Sequence, residues 1–348
     1  MITSKERGLA PFKARRLDRL PMWYGGDPQT TQNLVTYLGA KDETDALYKI
    51  LGIDFKTVRP RYIGPPLKTF PDGSTDTIWG IRRAGSYYGQ AVSHPLQSIT
   101  SLAELDLQYA FPDPGLWECK VASSVQRWTD GYCVIGGAWA PFFHDAIELL
   151  GIEQFMLAMY DHPDLAMTVI NRVFAFYLNQ TQRAFTENPG LIDFMFIGND
   201  FGTQRALLLS PELWRQFFKP GLIQLVDLAH KHGAVAGLHS CGDIHAIIPD
   251  LIEIGMDAIN PIQVSAEHMD PAALKRQYGR DIVFFGGIDV NGVLLKGTEQ
   301  QVRAETRRMI DILGHDGRYI VAPSHDYLLP EVPACNIVAM YDEAKKYS

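Results

Sequence analysis

The feature that most constrains the fold of this chain is a regular alternation of short apolar runs with longer amphipathic stretches. Several short runs are apolar almost without interruption, as is typical of parallel strands that are covered on both faces. The longer stretches repeat apolar residues every three to four positions, which predicts helices. The predicted strands are 20–25, 53–60, 132–137, 193–198, 234–240, 257–261, 282–287 and 318–323. The predicted helices are 150–185, 210–233, 249–256, 270–279, 298–314 and a last one at the end of the chain.

Strands that alternate with helices predict a parallel sheet, because parallel neighbours need a long crossover connection. Eight strands favour a closed (β/α)8 TIM barrel over an open sheet, and about 250 residues is a common size for that barrel. The chain has 348 residues and no linker rich in Gly, Ser or Pro. We therefore expect one α/β domain, 1–348, that carries insertions.

The main insertion is expected after the second predicted strand. Residues 68–83 predict a β-hairpin, because Asp72-Gly73 is a favoured two-residue turn sequence. Residues 87–97 predict a third strand of the same small sheet.

Composition excludes several classes of function. Lys and Arg number 32 against 40 Asp and Glu, so the formal net charge is −8. A mildly acidic chain without a basic run is a poor partner for nucleic acid or for an anionic membrane surface. We expect no membrane span and no secretory signal, because the chain has no long apolar window and its start is charged. The 4 cysteines are too few for a disulfide scaffold, which favours reduced thiols and a cytoplasmic location.

Polar and metal-binding residue types gather where the predicted strands end. In a TIM barrel the active site lies at the C-terminal ends of the strands, in the loops that lead to the helices. The residues at these ends are Trp23, Tyr24, Asp27, Asn199, Asp200, Gln204, His239, Ser240, Cys241, Asp243, Asn260, Gln263, Asp289, Ser324, His325 and Asp326. The opposite strand ends carry ordinary polar residues or glycines, and this asymmetry indicates an enzyme.

His239 and Cys241 are the strongest candidates for metal ligands. Residues two apart in extended chain point the same way, so this pair aims an imidazole and a thiol into one space. A catalytic zinc site takes three protein ligands and keeps one position open. A third ligand is therefore expected from another strand end, with His325 the first choice, Cys335 the second and Asp200 the third.

The remaining candidates are assigned to the substrate. Asp200 and Asp289 are candidate catalytic residues, which would orient the substrate or support the histidines. For the aromatic candidates, pocket walls and plain core packing remain equally open. The candidate substrate-binding residues are Trp23, Tyr24, Trp139, Phe142, Asn199, Gln204, Asn260 and Gln263.

The motifs resemble the uroporphyrinogen decarboxylase superfamily and, within it, the cobalamin-dependent methyltransferase branch. The resemblance covers essentially the whole chain and is strongest from about residue 190 onward. The segments that carry it are GLHSCGDIHAIIPDLIEIGMDAINPIQ (237–263), FFGGID (284–289) and APSHDYLLPEVPACNIVAMYDEA (322–344). It implies a single (β/α)8 barrel, in agreement with the strand count.

Within the superfamily, the resemblance favours methyl transfer over decarboxylation. The decarboxylases carry an arginine-rich segment after the first strand and an aspartate after the second, whereas 21–32 has no arginine and 53–64 has no aspartate beyond its strand. The methyltransferases have His-x-Cys after the fifth strand and a third zinc ligand, normally cysteine, after the eighth. Because His325 stands at that third position, the resemblance implies a zinc site of two histidines and one cysteine.

The resemblance also implies the reaction and its partner. It implies a zinc-dependent methyltransferase that moves a methyl group between a small substrate and the cobalt of a corrinoid on a separate protein. The substrate would be a methoxylated compound, a methylamine or a thiol. The segment GNDFGTQ (198–204) is similar to relatives that act in demethylation of methoxylated compounds, which favours an O-demethylase. The alternative is a metal-free decarboxylase-like enzyme or a small-molecule binding barrel, and a homodimer remains an open expectation.

Overall fold

A parallel sheet lies at the centre of the computed structural model, which describes residues 2–15, 17–86 and 89–347. The strands are β1 (Phe55–Thr57), β2 (Arg61–Tyr62), β3 (Thr75–Asp76), β4 (Arg82–Ala84), β5 (Gln90–Ala91), β6 (Trp117–Glu118), β7 (Cys133–Gly136), β8 (Phe194–Gly198), β9 (Val235–His239), β10 (Ala258–Asn260), β11 (Val283–Phe285) and β12 (Tyr319–Ile320). Strand β1 and strands β7 to β12 form one 7-stranded sheet in chain order, and their pairs are parallel.

The segment 21–26 joins the two edges of this sheet. The backbone N–H of Trp23 donates to Val321 O at 3.0 Å, and the N–H of Asp54 donates to Met22 O at 2.9 Å. Met22 also forms a parallel bridge with Val321. The sheet is therefore curled, and the fold is an α/β barrel of the TIM type. The first predicted strand, 20–25, is present as this bridging segment.

The other seven predicted strands each contain one strand of the central sheet, so their prediction is confirmed. The observed strands are shorter than predicted at several ends. Pro261 follows β10 directly, and a proline has no N–H to give to a strand pair.

Helices cover the outside of the barrel. They are α1 (Ser4–Leu9), α2 (Pro28–Leu38), α3 (Leu102–Gln108), α4 (Ser123–Thr129), α5 (Phe142–Leu150), α6 (Ile152–Asp161), α7 (Pro163–Glu187), α8 (Pro211–Phe217), α9 (Lys219–Lys231), α10 (Ile248–Glu253), α11 (Pro271–Tyr278), α12 (Glu299–Leu313) and α13 (Ala334–Ala344). The predicted helix 150–185 is wrong as a single element, because it is divided into α6 and α7 at Pro163. A proline fits the first turn of a helix but cannot continue the preceding one.

The insertion after β1 contains short antiparallel pairs. Strands β3, β4 and β5 form one small sheet, and β2 pairs with β6. The predicted hairpin around Asp72-Gly73 is not confirmed. The residues on either side of this turn form one isolated bridge, between Thr69 and Thr75. Pro71 lies in this turn and cannot donate to a ladder, so regular pairing starts after it. Of the predicted third strand 87–97, residues 87 and 88 lie outside the described residues.

Aromatic side chains fill the interior of the barrel. Trp23, Phe55, Phe194, Phe196 and Phe285 belong to one buried cluster. The rings of Phe196 and Phe285 are stacked with centroids 5.6 Å apart. A filled interior leaves the loops at the barrel mouth as the place where polar side chains can meet a ligand. Within the described residues, no helix combines the length and the apolar character that crossing a bilayer requires.

Candidate metal centre

Two neighbouring strands bring the predicted ligands together. Gly198 at the end of β8 lies opposite His239 at the end of β9. The residues that follow these positions leave the barrel side by side, so Asp200 and Cys241 meet. The backbone N–H of Cys241 donates to Asp200 Oδ1 at 2.8 Å. This hydrogen bond holds the two loops in a defined relation to each other.

Asp200, His239 and Cys241 place three ligand atoms within 4.8 Å of one another. His239 Nε2 lies 3.2 Å from Asp200 Oδ1 and 3.6 Å from Cys241 Sγ. The sequence analysis names all three residues, with Asp200 as the last of three choices. Asp200 lies close to His239 and Cys241 because β8 and β9 are parallel neighbours.

The His239 imidazole is held so that one nitrogen stays available. The side chain is 5% exposed, and its Nδ1 lies 2.9 Å from Asn260 Oδ1 at the end of β10. Since an amide oxygen only accepts, Nδ1 carries the proton and Nε2 faces Asp200 and Cys241. The ring also packs against Trp139, with centroids 5.2 Å apart. Such an orienting hydrogen bond on the far nitrogen is typical of metal-binding histidines.

Glycine at position 242 lets the loop after Cys241 pass close to the neighbouring loop. Gly242 has a φ of +84°, and a Cβ there would come within 2.4 Å of Gly202 C. Only glycine adopts this conformation at little cost. The Gly242 N–H donates to the side-chain oxygen of Gln263. A side chain at 242 would separate Cys241 from the loop that carries Asp200.

The electrostatic environment of the three residues favours a positive charge. Burial alone would lower the pKa of His239, but the charge of Asp326 and the contact with Asp200 outweigh it, so this pKa is well above its usual value. Burial would raise the pKa of Asp200, but the contacts with His144 and His239 outweigh it and lower this pKa. A proton on His239 is therefore stabilised by the surrounding carboxylates. Metal binding at such a site releases a proton and puts a cation in its place.

His325, the first-choice third ligand, lies against Cys241 from the loop after β12. The contact with the Cys241 thiol raises the pKa of His325. Its Nδ1 accepts the backbone N–H of Tyr327 at 3.1 Å and lies 3.3 Å from Asp326 Oδ1. The group of atoms within 4.8 Å comprises Asp200, His239 and Cys241, so ligation by His325 stays a prediction.

A cavity of about 620 Å³ opens directly onto this group. Asp200, Cys241 and His325 lie on its wall, together with the amides Gln204 and Gln263. Its other walls are largely apolar, from residues such as Val290, Leu295, Leu329 and Val332. A concave, mostly apolar space with a few converging polar groups is the usual form of a small-molecule site.

The aromatic candidates lie in different places. Trp139 is beside His239, as described above. Trp23 is 7% exposed and packs in the barrel interior, and Phe142 is fully buried in the main core. The hydroxyl of Tyr24 lies 2.9 Å from Thr31 Oγ1 on α2. For these three side chains the structure shows packing, and contact with substrate stays a prediction.

The polar candidates are also divided. Asn199 is fully buried. Its Oδ1 accepts the Phe143 N–H at 2.9 Å, which links the segment after β8 to the start of α5. Asp289 precedes the helical turn 290–294. Cys335 lies in α13, where its thiol contacts Asn336 Oδ1 at 3.8 Å. Neither Asp289 nor Cys335 belongs to the three-residue group, and roles for them stay predictions.

Sequence reasoning assigned no role to three further residues near the centre. His144 Nε2 lies 3.5 Å from Asp200 Oδ2, and Asp326 Oδ1 lies 3.8 Å from His239 Nε2. The Arg59 guanidinium lies 5.4 Å from the Trp139 ring. Asp326 is among the strand-end residues named from the sequence, and the same rule on C-terminal strand ends could have included His144 and Arg59, which also follow barrel strands. Nothing in their spacing distinguishes them from ordinary surface residues.

The donor set fits a zinc ion. Catalytic zinc takes three protein ligands from nitrogen, sulfur and oxygen and keeps a fourth position open. Asp200, His239 and Cys241 offer one ligand of each type, and the adjoining cavity leaves space for a fourth. The hydrogen bond from His239 Nδ1 to Asn260 supplies the orienting contact that such ligands need.

Comparison with known proteins identifies one relative in sequence and one similar solved structure. The methylcobamide:CoM methyltransferase MtaA from Methanosarcina barkeri is 24% identical over 217 residues, which is 62% of this chain and 58% of the relative. The chain thus matches somewhat less than two thirds of that protein. A solved methyltransferase structure from Methanosarcina mazei superposes with a TM-score of 0.65 at 19% identity, over 99% of both chains. This second likeness establishes the fold.

Residues 94–347 match the family described as uroporphyrinogen decarboxylase (URO-D). That match covers most of the chain and includes β7 to β12, with the three residues of the candidate centre. The similarity to a methylcobamide:CoM methyltransferase confirms the resemblance to the methyltransferase branch of this family. The chain belongs to the uroporphyrinogen decarboxylase family.

Proposed function

We propose that this chain is a zinc-dependent methyltransferase that moves a methyl group between a small substrate and the cobalt of a corrinoid carried by a partner protein. The observation that carries the proposal is the convergence of Asp200, His239 and Cys241 within 4.8 Å at the mouth of the barrel. The 620 Å³ cavity beside them supplies room for a substrate. The similarity to a methyltransferase that is named for methylcobamide and CoM supports the corrinoid as reaction partner.

Each residue of the centre has a distinct part in the proposal. His239, Cys241 and Asp200 would hold the zinc ion, and Asn260 keeps the imidazole turned toward it. When bound, the ion would supply Lewis acidity to the heteroatom of the substrate. The amides of Gln204 and Gln263 lie on the cavity wall, where they would orient polar groups of the substrate.

A methyl ether is the favoured substrate class. In its demethylation the C–O bond breaks and a carbon–cobalt bond forms. The cobalt(I) of the corrinoid donates an electron pair and becomes methylcobalt(III), while the oxygen keeps the electrons of the broken bond and takes up a proton. A donor set with one thiolate and one carboxylate is less electron-rich than one with two thiolates, which suits an oxygen leaving group better than activation of a thiol.

Thiol methylation is the second candidate. It is favoured by one specific observation, the similarity to a protein whose name gives CoM as a substrate. In this direction the substrate thiol would lose its proton, and its sulfur would take the methyl group from methylcobalt(III). The same cavity and the same three residues would serve both directions.

The experiment uses zinc-loaded protein and free cobalamin as a substitute for the partner protein. Cob(I)alamin with methoxylated aromatic compounds tests demethylation, and methylcobalamin with CoM tests thiol methylation; the cobalamin spectrum reports both. We expect methylcobalamin to form from a methoxylated compound, and Cys241→Ala to abolish the reaction. Cys335→Ala is the matched control, since that thiol lies outside the group, and should retain activity.

Two results would contradict the proposal. One is an absence of methyl transfer in either direction, also with any corrinoid protein encoded beside this one. The other is equal activity of Cys241→Ala and the wild type. A zinc content near zero in the purified protein would favour the metal-free, decarboxylase-like alternative.

A further inference from the structure

His144 lies beside the candidate centre, on the first turn of α5. Its Nε2 is 3.5 Å from Asp200 Oδ2. We propose that His144 is a positioning residue, which holds the Asp200 carboxylate in the orientation that faces His239 and Cys241. The inference rests on the proposed metal centre and extends it to a residue outside the three ligands.

The first argument is that the position of His144 is determined by buried structure. The Phe143 N–H donates to Asn199 Oδ1 at 2.9 Å, and Asn199 Nδ2 donates to Ala140 O at 3.0 Å. The rings of Phe143 and Phe201 pack with centroids 4.9 Å apart. Phe143, which precedes His144, is thus fixed to Asn199 and Phe201, which flank Asp200.

The second argument is that the two carboxylate oxygens of Asp200 have separate partners. Oδ1 accepts the Cys241 N–H at 2.8 Å and lies 3.2 Å from His239 Nε2. Oδ2 points the other way, to His144. Partners on both oxygens oppose rotation of the carboxylate about its terminal torsion, which is otherwise a soft motion.

The third argument is that Asp200 needs such a contact. The Asp200 side chain is 37% exposed, whereas the His239 side chain is 5% exposed and already held by Asn260. Packing therefore restrains Asp200 less than it restrains His239. Partners that orient ligating groups contribute about 10–100-fold to metal affinity. Since the 3.5 Å contact is long for a hydrogen bond, the lower end of that range applies.

The test measures Co²⁺ affinity of the full-length protein by competition with a chromogenic chelator. His144→Ala should weaken Co²⁺ binding about tenfold. His144→Gln should recover most of the loss, because its amide N–H can donate to the same oxygen. His162→Ala is the matched control: this exposed histidine lies between α6 and α7, and the change should leave affinity as in the wild type. Thermal melting of the metal-free proteins checks their folding.

Equal Co²⁺ affinity of His144→Ala and the wild type would overturn the inference and leave the metal centre intact. A loss that glutamine does not recover, together with a lower melting temperature of the metal-free protein, would also overturn it, because the role would then be structural. A wild-type protein that binds no Co²⁺ would instead contradict the proposed metal centre, and the inference would fall with it.

Discussion

The two ends of the barrel each contain a carboxylate with several partners, but the partners differ in kind. At the start of β1, Asp54 is fully buried and accepts hydrogen bonds from Arg7 Nη1 at 2.8 Å, Arg19 Nη1 at 2.6 Å and the Met22 N–H at 2.9 Å. At the end of β8, Asp200 meets His239, His144 and the Cys241 N–H.

The difference indicates that the end of the barrel with Asp54 contributes to stability and the end with Asp200 to metal binding. The partners of Asp54 are two arginines and a backbone donor, and together they saturate its acceptors. The partners of Asp200 include two imidazoles, and a thiol lies next to them. Such a set can release a proton to solvent when a metal ion binds. The comparison predicts that changes at the two ends have separable effects on folding and on metal binding.

The largest effect is expected from His239→Ala. It removes one of the three proposed ligands and opens a space beside Trp139, so we expect the loss of stoichiometric zinc and of methyl transfer. Zinc analysis of the purified variant, together with circular dichroism to show that it is folded, checks this prediction. Zinc content equal to that of the wild type would show that His239 is not a ligand.

Asp54→Ala at the opposite end should act on stability alone. Removing one partner of a buried ion pair costs about 3–5 kcal/mol, because Arg7 and Arg19 then keep buried charges without Asp54. Urea unfolding measures this, and the folded protein should still bind zinc as the wild type does. Asp18→Asn is the control: Asp18 also binds Arg7 but is 49% exposed, so about 0–1 kcal/mol is expected. Loss of zinc affinity in folded Asp54→Ala would break the proposed separation of the two ends.

A third carboxylate, the buried Asp145 on α5, adds a pH dependence to the comparison. Burial raises the pKa of Asp145 to about 6, despite its hydrogen bond with Tyr177. The folded protein therefore keeps a proton that the unfolded chain loses between about pH 4 and 6. The free energy of unfolding falls as the pH rises through this window, by up to about 3 kcal/mol at 1.36 kcal/mol per pKa unit.

Asp145→Asn should remove that part of the pH dependence. Urea unfolding at pH 4.5 and 7.5 would compare the wild type with this variant, and with Asp161→Asn at the exposed end of α6 as control. We expect the wild type to lose more stability than Asp145→Asn between the two pH values, and Asp161→Asn to follow the wild type. Parallel curves for wild type and Asp145→Asn would show that Asp145 is ionised in the folded protein throughout.

Much of the fold could be predicted, because strand and helix periodicities are local properties of the sequence. The same holds for His239 and Cys241, whose two-residue spacing in a strand already puts both side chains on one side. Asp200 was only a third choice, because its contact with His239 depends on which strands are neighbours and in which register. The register of β8 against β9 is set by packing over the whole barrel.

The residues whose role the sequence leaves open depend on tertiary packing. For Trp23 and Trp139, pocket wall and core packing are equally open from the sequence, and in the structure Trp23 packs in the barrel interior and Trp139 against His239. The orientation of His144 depends on the rings of Phe143 and Phe201. None of these contacts leaves a periodic signal, so no pattern in the sequence could have separated them.

X-ray absorption at the zinc edge tests the central claim most directly. We predict about one zinc ion per chain with one sulfur neighbour at about 2.3 Å and nitrogen or oxygen neighbours at about 2.0–2.2 Å. Asp200→Ala should lose an oxygen neighbour and bind zinc more weakly than His325→Ala does. A spectrum without sulfur, or zinc that is lost from His325→Ala but kept by Asp200→Ala, would contradict a centre formed by Asp200, His239 and Cys241.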